Sequence, residues 1–272
     1  MIKITCEKGL LLRYMSMSPL ALAFERYMEC KIFRHLELDR PILDLGCGEG
    51  LFAHILFKEK IDTGIDPNLR ELKRARQLSG YEELIKCKAE AVPKPSGSYQ
   101  TIFANSVLEH IHDLSPIFDE VHRLLGERGR FFMTVPAPEF EHYTICNQVL
   151  MFLGMKRLAA WYRGFCSRFI WKHRHYKSIS GWKEIASKHG FTVVNAVTYN
   201  SKKMCLVNDF LYPFSILALI KKRLFNRWML FTSLRRIFIF PQYLIARHFF
   251  ENDIQADDGG LVFLALKKTG DI

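Results

Sequence analysis

The apolar run Ile42-Leu43-Asp44-Leu45 passes directly into Gly46-Cys47-Gly48-Glu49-Gly50. A strand that ends in glycines ahead of a helix sets backbone N–H groups and the positive helix end beside a ligand. The segments that follow repeat the same rhythm. Strand-like runs at 61–65, 84–89, 101–107 and 130–135 alternate with helical patterns at 51–57, 69–78 and 114–125. Strands alternating with helices of about ten residues predict a doubly wound α/β fold with a mostly parallel sheet.

After Pro138 the rhythm breaks. Residues 139–176 are aromatic, basic and helical in pattern, and 180–189 reads as a helix closed by Gly190, a residue suited to the left-handed cap position. Two further strands follow, 191–198 and 260–266, on either side of a long insertion at 201–256. The domain reading is therefore an N-terminal helical segment (1–40), a core (41–200 with 259–268) carrying a helical lid (139–176), and the insertion.

The glycine spacing separates two ligand classes. A dinucleotide turn places its third glycine where this chain has Leu51, and it packs pyrophosphate where Asp44 would repel it. A ligand with an ammonium group would instead be attracted to Asp44. Twenty residues after Gly46, the second strand ends in Asp66, an acid suited to ribose hydroxyls. The turn therefore suits a nucleoside with an amino-acid tail and no phosphate.

With LDLGCGEG at 43–50, GID at 64–66 and NSVLEHI at 105–111, the chain resembles the class I S-adenosylmethionine-dependent methyltransferases. It is most similar to the small-molecule group that includes quinone-biosynthesis and sugar methyltransferases. The resemblance covers residues 40–136 well and the last two strands weakly. It implies a seven-stranded sheet in the order 3-2-1-4-5-7-6 with the last strand antiparallel, and S-adenosyl-L-methionine as cofactor. It implies Asp44 near the methionine ammonium, Gly46, Cys47 and Gly48 under the methionine tail, and Asp66 on the ribose. Ala89 and Glu90 match the turn that borders adenine, where Lys88 stands in place of the usual acid. Asn105 would border the sulfonium.

Methyl transfer from a sulfonium needs alignment and exclusion of water more than covalent help from the protein. A hydroxyl acceptor also benefits from a base, and imidazole titrates near neutrality. The candidates are His110, His142 and His173, with His112, Tyr143 and His175 nearby in sequence. His173 and His175 could mimic a metal pair, but no third ligand is evident, so no metal is expected.

The net charge of +11 is localised. Residues 155–177 hold seven Lys or Arg and no acid, and residues 202–250 hold nine against Asp209. Such segments face something anionic. The uncharged runs at 210–220 and 237–246 are shorter than the ~18–20 residues that span a bilayer. Basic residues punctuate them, as in helices lying at a membrane interface.

Seven scattered cysteines without a C-x-x-C pair point to a reducing compartment, and no signal peptide is read at the N-terminus. The expected setting is cytoplasmic, peripheral at the inner face of a membrane. The leading expectation is a methyltransferase acting there on a lipophilic or lipid-linked small molecule. Two others stay open: a soluble O-methyltransferase whose helical cap covers its acceptor or pairs with a second copy, and an RNA-binding or RNA-modifying protein. Against RNA, NSVLEH stands where base-modifying relatives carry N/D-P-P-Y/F.

Overall fold

The structure, a computed structural model, describes residues 2, 4, 9–225, 228–229, 232–250 and 256–269; Arg227 and residues 251–255 of the insertion lie outside them. The chain opens with α1 (Leu10–Met17) and α2 (Leu20–Phe33). It then runs β1 (Ile42–Leu45), α3 (Leu51–Leu56), β2 (Ile61–Ile65), α4 (Leu69–Leu78), β3 (Tyr81–Ile85) and β4 (Tyr99–Asn105). A 3-10 turn (Leu108–His110) leads to α5 (Ser115–Leu124) and β5 (Leu125–Pro136). The lid contains α6 (Ile145–Phe152), α7 (Lys156–Phe165) and a π-helical turn (Cys166–Trp171). The rest is α8 (Ile179–Lys188), β6 (Phe191–Tyr199), α9 (Lys202–Phe225), α10 (Thr232–Phe250) and β7 (Leu261–Lys268).

The seven strands form one sheet in the order β3-β2-β1-β4-β5-β7-β6, with β7 antiparallel to both neighbours and the other pairings parallel. Side chains alternate across it. Phe103, Phe132 and Phe263 join the core beneath α1, α2 and α3, whereas Ile102, Phe131, Met133 and Leu264 join the core beneath α5 and α8. With both faces covered, β1 is buried at every position, as a central parallel strand should be.

The third strand corrects the sequence reading. It runs from Tyr81 to Ile85, not over 84–89, and pairs Ile61 with Tyr81 and Ile65 with Ile85. The aromatic ring at its start decides the register: Tyr81 is buried and covers Gly64, where a Cβ would lie 2.7 Å from its ring. The residues from Cys87 to Glu90 are thereby released into a loop at the sheet edge.

The insertion folds as the pair α9 and α10, packed on α2 and α1. Arg235 fastens α10 by donating to the carbonyls of Met15 and Ser18. No helix among the described residues is long and apolar enough to cross a membrane.

Candidate active site

Three adjoining cavities lie along the carboxyl edge of the sheet. The first, ≈ 310 Å³, is walled by Asp66, Ala89, Glu90, Val107 and Ile111. It shares Gly46, Ser106 and His110 with a second, ≈ 480 Å³, that contains Asp44, Cys47, Gly48 and Asn105. A third, ≈ 340 Å³, is lined by Glu25, Glu109, Phe140, Tyr143, Trp171 and His173, and shares Leu22, Arg26, Ser106, His110 and Trp228 with the second.

The glycine turn is held by its own strand neighbours. Gly46 and Cys47 donate their N–H groups to the Ile65 carbonyl, and Gly48 donates to Asp66 Oδ2 at 3.1 Å. Gly46 has φ +80°, and a Cβ there would meet Val107 at 2.7 Å, so only glycine allows this close approach. These three N–H groups are thus committed within the protein and are not aimed at a phosphate, in agreement with the spacing argument.

Asp66 also accepts from the Asn68 N–H at 2.7 Å, which fixes its carboxylate at the rim of the first cavity. Asp44 is 3% exposed, and among the described residues its carboxylate has one bond, from the Tyr81 hydroxyl at 2.7 Å. Burial pushes its carboxyl up to about 7, against the opposing pull of that hydroxyl and of the Arg26 charge. A buried acid with no ion pair among the described residues is the surrounding that a ligand's ammonium would relieve. The residues present therefore fit S-adenosylmethionine: Asp44 would face the ammonium, the glycine turn would lie under the methionine chain, and Asp66 would meet the ribose. Ala89 and Glu90 line the same cavity as Asp66, and Lys88 pairs with Glu90 at 3.2 Å. Cys47 lines the second cavity, and burial raises its thiol, so it has no nucleophilic character.

Asn105 lines the second cavity but is tied down by two bonds. Its amide donates to Glu29 at 2.7 Å, and its carbonyl oxygen accepts from Thr134 at 2.6 Å. Glu29 also accepts from Arg26 at 2.6 Å and from the Ser106 hydroxyl at 3.0 Å. These α2 residues escaped the sequence reading. The available signal was the run of charges Glu25, Arg26, Glu29 and Lys31 inside the largely apolar LALAFERYMECKIF.

The candidate bases separate. His110 and His173 both line the third cavity, with ring centroids 5.0 Å apart. His142 lies outside its lining, in an exposed 3-10 turn whose carbonyl accepts from Asn147 and Gln148. His175 turns away and bonds the Ile111 carbonyl at 2.8 Å. Burial lowers both cavity histidines, His173 to about 3, which favours their neutral forms and makes His173 the weaker base.

Between them lies Glu109, which the sequence reading passed over although it sits inside NSVLEHI. It is 2% exposed, its Oε2 has no hydrogen-bond partner, and burial pushes its carboxyl up to about 8. One ligand atom from each of Glu109, His110 and His173 falls within 4.8 Å of the others, the one set among the described residues close enough to share a cation. The third member that the His173–His175 spacing lacked thus comes from the turn after β4, and His175 is not in the set.

A sheet of this order, with an acid closing each of its first two βα strands over a glycine turn, defines the class I S-adenosylmethionine-dependent methyltransferases. The family described as methyltransferase domain matches residues 22–196, and the chain belongs to it. Malonyl-[acyl-carrier protein] O-methyltransferase of Legionella pneumophila is 30% identical over 122 residues, 43% of this chain and 41% of that protein. Ubiquinone biosynthesis O-methyltransferase of Bordetella avium is 31% identical over 102 residues, 35% of this chain and 42% of that protein. The match therefore spans about two-fifths of these curated relatives. An S-adenosylmethionine-dependent methyltransferase structure from Mesorhizobium loti superposes with TM-score 0.53 at 13% identity, covering 90% of this chain and 98% of that one, which is a likeness of fold.

Proposed function

We propose that the protein transfers a methyl group from S-adenosylmethionine to a lipophilic or lipid-linked small-molecule acceptor, quinone-like or glycan-like, at a membrane surface. The observation that carries this reading is a single helix with two faces. Helix α9 turns Cys205, Asn208, Asp209 and Tyr212 into the third cavity, which adjoins the cofactor cavity and is the natural seat of the acceptor. Its other face exposes Phe210 (62%), Phe214 (65%) and Leu224 (73%), and α10 adds Ile237, Phe238 and Ile245. Exposed Lys202, Lys203, Arg236 and Arg247 accompany them. Exposed apolar side chains interspersed with basic residues suit an anionic bilayer. The lid presents a second such surface, with Phe152, Trp161 and Phe169 among exposed Lys156, Arg157 and Arg168.

The chemistry assigned to the third cavity is proton removal. When bound, the cofactor supplies the activated methyl group. The protein aligns the acceptor, excludes water with Phe140 and Trp171, and offers Glu109, His110 or His173 to take the hydroxyl proton.

The names of the relatives support an oxygen acceptor and nothing finer: one acts on a carrier-bound malonyl group, and the other belongs to ubiquinone biosynthesis. A capped acceptor site without a membrane is the second reading, favoured by the inward faces of α9 and α10, where Ala218, Ile239, Ala246 and Phe250 are buried. One experiment separates the two. S-adenosylhomocysteine release is followed with a catechol carrying or lacking a prenyl tail, in anionic vesicles, for the wild type and a Phe238→Ser/Ile245→Ser variant. Preference for the tailed acceptor that the variant loses, together with loss of vesicle flotation, supports the membrane reading. Equal turnover and no flotation of the wild type would overturn it.

A further inference from the structure

The cofactor cavity has a wall that no glycine-turn motif supplies. Its acids are Asp44, Glu49 and Glu71, and its cations are Arg26, already committed to Glu29, and Lys222 from the insertion. Lys222 Nζ lies 3.1 Å from Glu49 and 3.2 Å from Glu71, with its side chain 13% exposed. Trp228, just beyond α9, donates its indole N–H to the same Glu49, and the Lys222 ammonium sits 4.4 Å from its ring centroid. Glu49 lies inside the glycine turn and Glu71 in the first turn of α4. Lys222 thus bridges the two lips of the cavity, and Trp228 stands where it meets the acceptor cavity.

We propose that the end of α9 is a latch on the cofactor cavity, with Lys222 and Trp228 as positioning residues that hold Glu49 and must release it for the cofactor to exchange. The proposal rests on the reading of this cavity as the S-adenosylmethionine site. Two physical arguments support it. The first is charge. A methionine tail carries a carboxylate as well as an ammonium, and Glu49 and Glu71 would repel that carboxylate more strongly if Lys222 did not offset part of their charge. The second is the helix itself. Pro213 lies inside α9, eleven residues into it, and has no N–H to give to the preceding turn. The half of α9 that carries Lys222 is therefore joined through a weakened point to the half that places Cys205, Asn208 and Asp209 in the acceptor cavity. A lift about this point would leave those three residues in place and carry Ser215 and Leu219, which line the same cavity, along with Lys222.

The test is the rate at which S-adenosylhomocysteine leaves, read by stopped-flow displacement of a fluorescent analogue, with calorimetric affinity alongside. Without its ammonium the end of α9 loses its charged hydrogen bonds to Glu49 and Glu71, so Lys222→Met is expected to speed release by about tenfold or more. Trp228→Phe keeps the ring and loses only the N–H, and is expected to speed release by a smaller factor. Lys222→Arg restores the charge and is expected to hold release near the wild-type rate. Lys222→Arg and Trp228→Phe, which keep the cation and the ring, should melt near the wild-type temperature without ligand, so faster release from Trp228→Phe separates a latch from a structural prop. Release at the wild-type rate from both Lys222→Met and Trp228→Phe would overturn the proposal. A wild type that binds no S-adenosylhomocysteine would overturn the cofactor reading beneath it.

Discussion

Asn105 at the end of β4 donates to Glu29 of α2 across 2.7 Å, joining the floor of the site to the N-terminal helices. Glu29 is fully buried and accepts from Arg26, Asn105 and Ser106 together. Removing one side of such a cluster leaves the other charge stranded. Glu29→Ala should therefore lower stability by about 3 kcal/mol in urea denaturation, and the neutral isostere Glu29→Gln by less.

Asp66 accepts from Gly48 and Asn68 and faces the cavity assigned to the nucleoside. Asp66→Ala should weaken S-adenosylhomocysteine binding by about 1.5–3 kcal/mol, the cost of lost bonds to a charged acceptor. Calorimetry gives the number directly. Unchanged affinity would show that the sugar sits elsewhere.

Glu109 is held at about 8 by burial, against 4.5 for an ordinary glutamate. Between those values the folded chain keeps a proton that the unfolded chain has released. Its contribution to stability is therefore full below pH 4.5 and is lost as pH rises through 8, by up to about 1.4 kcal/mol per pH unit. Denaturation at pH 5 and pH 8 should show a smaller loss for Glu109→Gln than for the wild type. If Glu109 is also the base, the methylation rate climbs through about pH 8 in the wild type and is flat in the variant.

The histidines give a sharper contrast. His173→Ala and His110→Ala each remove a group from the acceptor cavity and should lower turnover, by about tenfold or more if the group handles the proton. His142→Ala should leave turnover unchanged, because that side chain lies outside the cavity lining. Steady-state rates at saturating cofactor decide this.

The cofactor half was legible because each requirement is local. A glycine with positive φ, an acid at a strand end and alternating apolar runs all lie within a few residues of one another. Strand order came only through the family resemblance that these motifs carry. The third strand was misplaced because its register depends on Tyr81 packing over Gly64, a contact between two strands that hydrophobic patterning does not encode. The acceptor half was far less legible. Arg26, Glu109, His173 and Trp228 come from four distant stretches, and only the folded chain brings them to one cavity. Among the bases, sequence proximity to strand ends placed His110 and His142 alike. The backbone direction after Pro136 separates them.

The commitment of Gly46, Cys47 and Gly48 N–H groups to Ile65 and Asp66 has a thermodynamic corollary. A hairpin already bonded to its neighbouring strand loses little freedom when something settles on it, so recognition there draws on a receptor prepared in advance. Whatever ordering accompanies uptake then falls on the helical roof. Exchanging that roof for another should redirect the enzyme to new acceptors while the nucleoside seat stays as it is.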